Sequence, residues 1–298
     1  MDLYQLKTFF FVCNCQSFTN AAKKLYISQA AVSISIKKLE ISIGFKLFDR
    51  STKNLKLTDA GEKLFKTCSE IFYTLEKTEE EFRLLNKNPE IHINIGAPVE
   101  FGNTVLVKII RDFLNENSNI SVDFYFSKNL LKPLLQDDLD IIIDCKKHIH
   151  QSLNETFLFR EKYICAASPK FLENNSITGI KDFDNSTLLT CDSQLNWWNN
   201  FFKVAPKNLT RDSCKKIIKI NHIRGLINAT VEGMGIGFFP LYSISKELKS
   251  GLIQQIFEEI MPLDDKFRIY QKIKRSSLKY QSKLIEYLTN LNPEHLGF

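Results

Sequence analysis

The sequence predicts a chain in three parts: an all-α, winged helix-turn-helix unit at the N-terminus, a long linker helix, and a C-terminal α/β domain of two lobes. Three observations lead there. The whole net charge of +6 lies in the first fifth of the 298 residues. A heptad of apolar residues follows, and beyond Pro89 short apolar strands alternate with helical segments. A chain of this length, 44% hydrophobic and 25% charged, has room for about two cores rather than one.

Residues 1–66 carry eleven Lys or Arg against five Asp or Glu; 40 less 11 and 34 less 5 leave 29 of each sign in the rest. A basic module joined to a neutral one points to a polyanion as partner of the first alone.

In the basic part, Leu3, Leu6, Phe9, Phe10 and Cys13 recur at helical spacing. A second helix is expected from Phe18 to Leu25, capped by Ser17, with Ala21 and Ala22 small enough to admit a neighbouring helix closely. After the turn Tyr26-Ile27, Ser28 caps a third helix with Val32, Ile36, Leu39 and Ile43 inward, and Gly44 ends it. This order is a helix-turn-helix, whose second helix enters the DNA major groove. The outer side of that helix carries Ala30, Ser33, Ile34, Lys37, Lys38 and Ile41, with Ser28 and Gln29 at its tip. An exposed Ile34 suits a thymine methyl group, whereas Gln29 and Ser33 suit bases or phosphates. Ile34 and Ile41 have a second reading, packing on a neighbouring element. Phe45 to Leu57 reads as a two-stranded wing, with Phe48, Leu55 and Leu57 inward and Arg50, Lys53 and Lys56 turned to the DNA backbone.

The run Ser17-Phe18-Thr19, Ala21-Ala22, Leu25, Ile27-Ser28-Gln29, Ala31-Val32-Ser33, Ile36, Leu39-Glu40, Gly44, Leu47-Phe48 and Arg50, then Leu57-Thr58-x-Ala60-Gly61, closely resembles the DNA-binding domain of LysR-type transcriptional regulators. Two positions depart from the family pattern: Ala30, where proline is frequent, and Ile34, where arginine is usual. Without that arginine a guanine or phosphate contact is lost, so the operator preference is expected to differ.

Leu64, Cys68, Ile71, Leu75, Thr78, Phe82 and Leu85 follow at steps of 4 and 3. A core helix of one globular domain is the alternative, against which the breaker Asn86-Lys87-Asn88-Pro89 counts. The favoured reading is a dimerising linker with Leu64, Cys68, Ile71, Leu75 and Phe82 in the seam, and the resemblance implies the same. A homodimer would set two recognition helices on a roughly palindromic operator in double-stranded DNA, with a homotetramer left open. The expected division is 1–58 for the DNA-binding unit, 59–88 for the linker and 90–298 for the rest.

In that last part, strands are expected at 91–97, 120–126, 139–143, 163–167, 187–191, 216–220 and 236–239, with helices between them and mainly parallel sheets. Two such sets suggest two lobes around a cleft, lobe I at 90–162 and 268–298, lobe II at 163–267. Gly233 to Pro240 leads from helix to strand, the reverse of a dinucleotide-binding loop. This part is similar to the family's effector domain, which has a periplasmic-binding-protein-like fold. The resemblance implies a small-molecule effector near Pro98, Val99 and Glu100, Ser127, Lys128 and Asn129, Lys146, and Thr190 to Ser193. An acid at Glu100 admits an amine or neutral effector; Lys128 and Lys146 favour an anion.

Neither metal nor cofactor nor enzymatic activity is expected. The five histidines match no hydrolytic or metal motif, no Cys-x-x-Cys occurs among seven cysteines, and Cys13-x-Cys15 lacks further ligands. One branch of the family senses peroxide through two second-lobe cysteines, so a redox sensor using Cys191 and Cys214 is an alternative. Another is a solute-binding protein, against which the basic helix-turn-helix counts. Leu6 to Cys15 is broken by Lys7, Thr8 and Asn14 and follows Asp2, unlike an export signal, and no run approaches the roughly 20 apolar residues of a membrane span. A cytoplasmic protein is therefore expected.

Overall fold

The computed structural model describes residues 1–49, 55–85, 90–207, 209–260, 265–273 and 279–291. The N-terminal unit holds α1 (Leu3–Cys15), α2 (Phe18–Leu25) and α3 (Gln29–Ile43). Side-chain caps start them: Asp2 accepts from the Gln5 amide, Ser17 from Asn20 and Ser28 from Ala31. Left-handed residues stop them, Gln16, Tyr26 and Gly44 at φ 47°, 56° and 80°. Phe9, Val12, Ala21, Val32, Ile36, Leu39 and Leu47 form the shared core, each large side chain contributing about 1.5–3 kcal/mol by leaving water.

Behind α3 comes a short antiparallel pair, β1 (Phe48–Asp49) and β2 (Lys56–Leu57). Buried Glu40 accepts from the Leu47 amide at 2.9 Å and Lys46 Nζ at 3.0 Å, so α3 and the wing move as one body. From there α4 (Asp59–Leu85) runs for 27 residues. Its third residue is Gly61, where an added Cβ would run into the Leu47 carbonyl oxygen.

The first lobe is built on β3 (Ile91–Ala97), α5 (Val99–Phe101), a π turn over Gly102–Leu106, α6 (Val107–Glu116), β4 (Ile120–Phe126), α7 (Leu131–Leu135), β5 (Ile141–Asp144) and β6 (Leu153–Glu161). The second lobe follows with β7 (Tyr163–Ala167), α8 (Pro169–Asn174), β8 (Thr187–Thr190), α9 (Asn196–Val204), β9 (Lys216–Lys219), α10 (Ile223–Val231), β10 (Ile236–Pro240), α11 (Leu241–Lys249) and β11 (Gln254–Ile256). The chain returns to the first lobe through β12 (Asp265–Lys272) and α12 (Lys279–Thr289).

Both sheets have five strands, in the orders β4-β3-β5-β12-β6 and β11-β7-β10-β8-β9. They are mixed rather than mainly parallel: β12 runs antiparallel to β5 and β6, and β7 antiparallel to β10 and β11. The crossing strands cause this, because a chain that leaves a lobe and later returns enters its sheet in reverse. β6, α11 and β11 were absent from the sequence-based expectation. In β6, polar Asn154, Glu155 and Arg160 lie exposed beside a single buried phenylalanine, Phe159, so the strand shows little apolar signal. β12 begins at Asp265, three residues before the expected return, and Asp265 pairs with Glu161. Lys162 alone separates β6 from β7, and Asp265, the first residue of β12, pairs with Glu161 beside this crossing, the hinge between the lobes.

Candidate DNA-binding face and interlobe cleft

On α3, Val32, Ser35, Ile36, Leu39 and Glu40 are buried, while Gln29, Ala30, Ser33, Ile34, Lys37 and Lys38 are exposed. Ile34 is 56% and Ile41 72% exposed, which removes the reading that they pack on a neighbour within this chain. The Ser28 hydroxyl caps α3 by accepting from the Ala31 amide at 3.1 Å, which leaves its proton free to donate outward. Thr19 donates to Gln29 Oε1 at 3.2 Å, fixing the tip side chain from α2. Arg50 and Lys53 lie outside the described residues. Lys24, also on α2, is turned away to the first lobe, where it meets Asp138 at 2.8 Å and the Gln136 carbonyl.

The seam on α4 divides in two. Cys68 is fully buried in the core of its own N-terminal unit, and Leu64 packs against that core. Cys68 is therefore corrected from a partner contact to a core residue: α1 covers this turn of the helix, with Phe10 stacked on Phe65 and against Phe72. Ile71 is half-buried, and farther on Leu75 and Phe82 are 43% and 65% exposed.

Between the lobes, Pro98, Val99 and Glu100 sit at the end of β3, Ser127 to Asn129 at the end of β4, and Lys146 just past β5. Opposite lie Thr190 and Ser193 at the end of β8. Lys146 Nζ donates to the Lys128 carbonyl at 2.7 Å, and Lys128 Nζ reaches the Asn221 carbonyl of the second lobe at 3.4 Å. Lys219, level with Thr190 on the neighbouring strand, donates to Ser193 Oγ at 3.1 Å. Three expected residues already have partners within the chain. Thr190 is buried with its hydroxyl on the Asp192 carbonyl, and Ser127 Oγ accepts from the Asn129 amide. Glu100 is buried against Arg224 at 2.5 Å, and the same guanidinium meets Glu247 at 2.7 Å. Arg224, Glu247, Asn221 and Lys219 were not expected at the cleft, since nothing in a single sequence marks an ion pair 124 residues apart.

At the hinge, Glu161 is buried and its carboxyl is pushed up to about 8 by desolvation, with the Tyr163 and Tyr242 hydroxyls opposing that rise. Cys191 and Cys214 lie at opposite ends of the parallel pair β8 and β9, roughly 20 Å apart by strand rise, outside disulfide reach in this arrangement. Burial raises both thiols, Cys191 to about 11. Away from the cleft, a cavity of 440 Å³ is lined by Asn94, Asp123, Phe124, Tyr125, Pro133, Asp138 and Leu139. Among the described residues no group of three His, Cys, Asp or Glu is placed to hold a metal, and no helix is long and apolar enough to cross a membrane.

Comparison with known proteins agrees with this architecture. Residues 3–62 match the model of the bacterial regulatory helix-turn-helix proteins of the lysR family, and residues 86–287 that of the LysR substrate binding domain. The chain is 29% identical over 278 residues to a glycine cleavage system transcriptional activator homolog of Haemophilus influenzae, covering 92% of this chain and 89% of that one. It is 30% identical over 265 residues to the HTH-type transcriptional regulator YwqM of Bacillus subtilis, covering 86% and 88%. Full-length LysG of Corynebacterium glutamicum, solved with bound effector Arg, has the same fold at a TM-score of 0.66, 18% identity and 97% coverage of both chains.

Proposed function

Because the chain belongs to the LysR family of transcriptional regulators, DNA-binding proteins controlled by a small-molecule effector, we propose that it reads its operator through the outer face of α3. The carrying observation is that Gln29, Ala30, Ser33, Ile34, Lys37 and Lys38 are all exposed on a helix whose other side is buried. Gln29, Ser33 and Ile34 contact bases; Ser28, Lys37, Lys38 and the wing residues Arg50 and Lys53 contact phosphate. Each phosphate-bound cation steepens the fall of affinity with salt by about 0.9 in the log–log slope. The linker, 59–88, pairs two copies through Ile71, Leu75 and Phe82, and the domain at 90–298 holds the effector near Val99, Lys128, Asn129, Lys146 and Ser193. The protein works in the cytoplasm as a regulator and catalyses no reaction.

A gel shift at moderate salt tests this. The duplex flanking the protein's own gene should be retained over a scrambled duplex of equal length; equal retention of both overturns the reading.

A further inference from the structure

Around the cleft Arg224, Lys128, Lys146 and Lys219 stand with Glu100, Glu247, Asp144 and Asp192, so the sign of the ligand is decided by which of these charges have a partner of opposite sign. Among the described residues, Glu100, Glu247 and Asp144 each meet a basic side chain, whereas Asp192 lies on amide donors. Glu100, 4% exposed, and Glu247 share the Arg224 guanidinium at 2.5 and 2.7 Å. Asp144 is buried against His148 Nε2 at 2.8 Å and accepts from the Lys146 amide at 3.1 Å. Asp192 turns Oδ1 onto the amides of Gln194 and Asn196 at 2.8 and 3.3 Å.

The lysines are not committed in that way. Lys128, Lys146 and Lys219 come from both lobes to the C-terminal ends of their strands, where α/β sheets hold ligands. Among the described residues none of the three has a carboxylate partner: their ammonium groups rest on the Asn221 carbonyl, the Lys128 carbonyl and the Ser193 hydroxyl. Through the Asn221 carbonyl Lys128 reaches across to the second lobe. Like charges gathered at one opening raise the local potential and draw in an anion.

We propose that the cleft takes a small, multiply charged anion, a di- or tricarboxylate or a phosphorylated metabolite, held between the lobes by Lys128, Lys146 and Lys219. Glu100 takes no part in ligand recognition, because it is buried and held on Arg224. The inference rests on the regulator reading above and specifies the effector of that same site.

Both tryptophans, Trp197 and Trp198, lie on α9, so tryptophan fluorescence of the full chain reports on the second lobe and not on the basic N-terminal unit. It would be titrated with succinate, citrate, inorganic phosphate, glucose 6-phosphate and, as the opposite charge, putrescine. A saturable response to the anions is expected, the carboxylate and phosphate arms telling the two chemistries apart. Lys146→Gln and Lys219→Gln should each weaken it about tenfold or more, as charge-assisted hydrogen bonds are lost, and Lys219→Arg should keep it. Saturation by putrescine, silence towards every anion, or an anion response unchanged by replacing all three lysines would overturn the proposal. Operator gel shifts on the same preparations separate the two failures: specific DNA retention without an anion response sinks the anion alone, and lost specificity sinks the regulator reading.

Discussion

Arg224 on α10 donates to Glu100 on α5 at 2.5 Å and to Glu247 on α11 at 2.7 Å, so one guanidinium ties the two lobes together. Glu100 is almost wholly withdrawn from water, and a buried carboxylate without its partner is strongly destabilising. Arg224→Ala should therefore cost about 3 kcal/mol in urea unfolding followed by tryptophan fluorescence, while Glu100→Gln, which leaves no charge stranded, costs about 1 kcal/mol. The double variant should lose less than the sum of the two. Additive losses would mean that the pair does not couple the lobes.

Glu161 makes stability at the hinge depend on pH. Its carboxyl sits at about 8 against an ordinary 4.5, raised first by burial and then by the Asp265 and Asp144 charges. Between those two values the unfolded chain has released the proton that the folded chain still holds. The stabilisation is therefore complete below about 4.5 and is lost as pH rises towards 8, by up to about 1.4 kcal/mol per pH unit. Glu161→Gln should flatten this part of the pH–stability profile and be the more stable protein at pH 8. An unchanged slope would show that Glu161 is ionised in the fold.

The elements legible in the sequence were those with a strong local signature. α2 and α3 could be read because Ser17 and Ser28 cap them, Tyr26 and Gly44 stop them, and apolar residues recur on one face only. β3, β4, β8 and β10 stand out as apolar runs between helices. What escaped is what depends on distant partners. The antiparallel entry of β12 follows from chain return rather than from its own residues, and Glu100 shows its burial and charge state only once Arg224 is beside it. Cys68 fits both a seam and a core by spacing; α1 packing over it decides for the core.

Ile34 should control base preference. It projects from the recognition helix 56% exposed, between Ala30 and Lys37. Ile34→Arg exchanges a methyl contact for a guanine or phosphate contact, so selection from a randomised duplex should change at one base pair per half-site, by about 1–3 kcal/mol. The same consensus from both proteins would remove Ile34 from base reading.

Leu75 and Phe82 test the linker, because they continue the seam beyond the point where α1 covers it and are 43% and 65% exposed. A charge on a coiled-coil seam must be desolvated in the dimer but not in the monomer. Leu75→Asp should therefore sediment as a folded monomer, with the circular dichroism of the parent and weakened operator binding, since two half-sites are no longer bound together. Cys68→Asp separates the two halves of the helix. It buries a charge inside each copy's own core, so it should lower the melting temperature of the N-terminal unit whatever the assembly state. Dimers that survive Leu75→Asp and Phe82→Asp together would place the subunit contact elsewhere than on this face of α4.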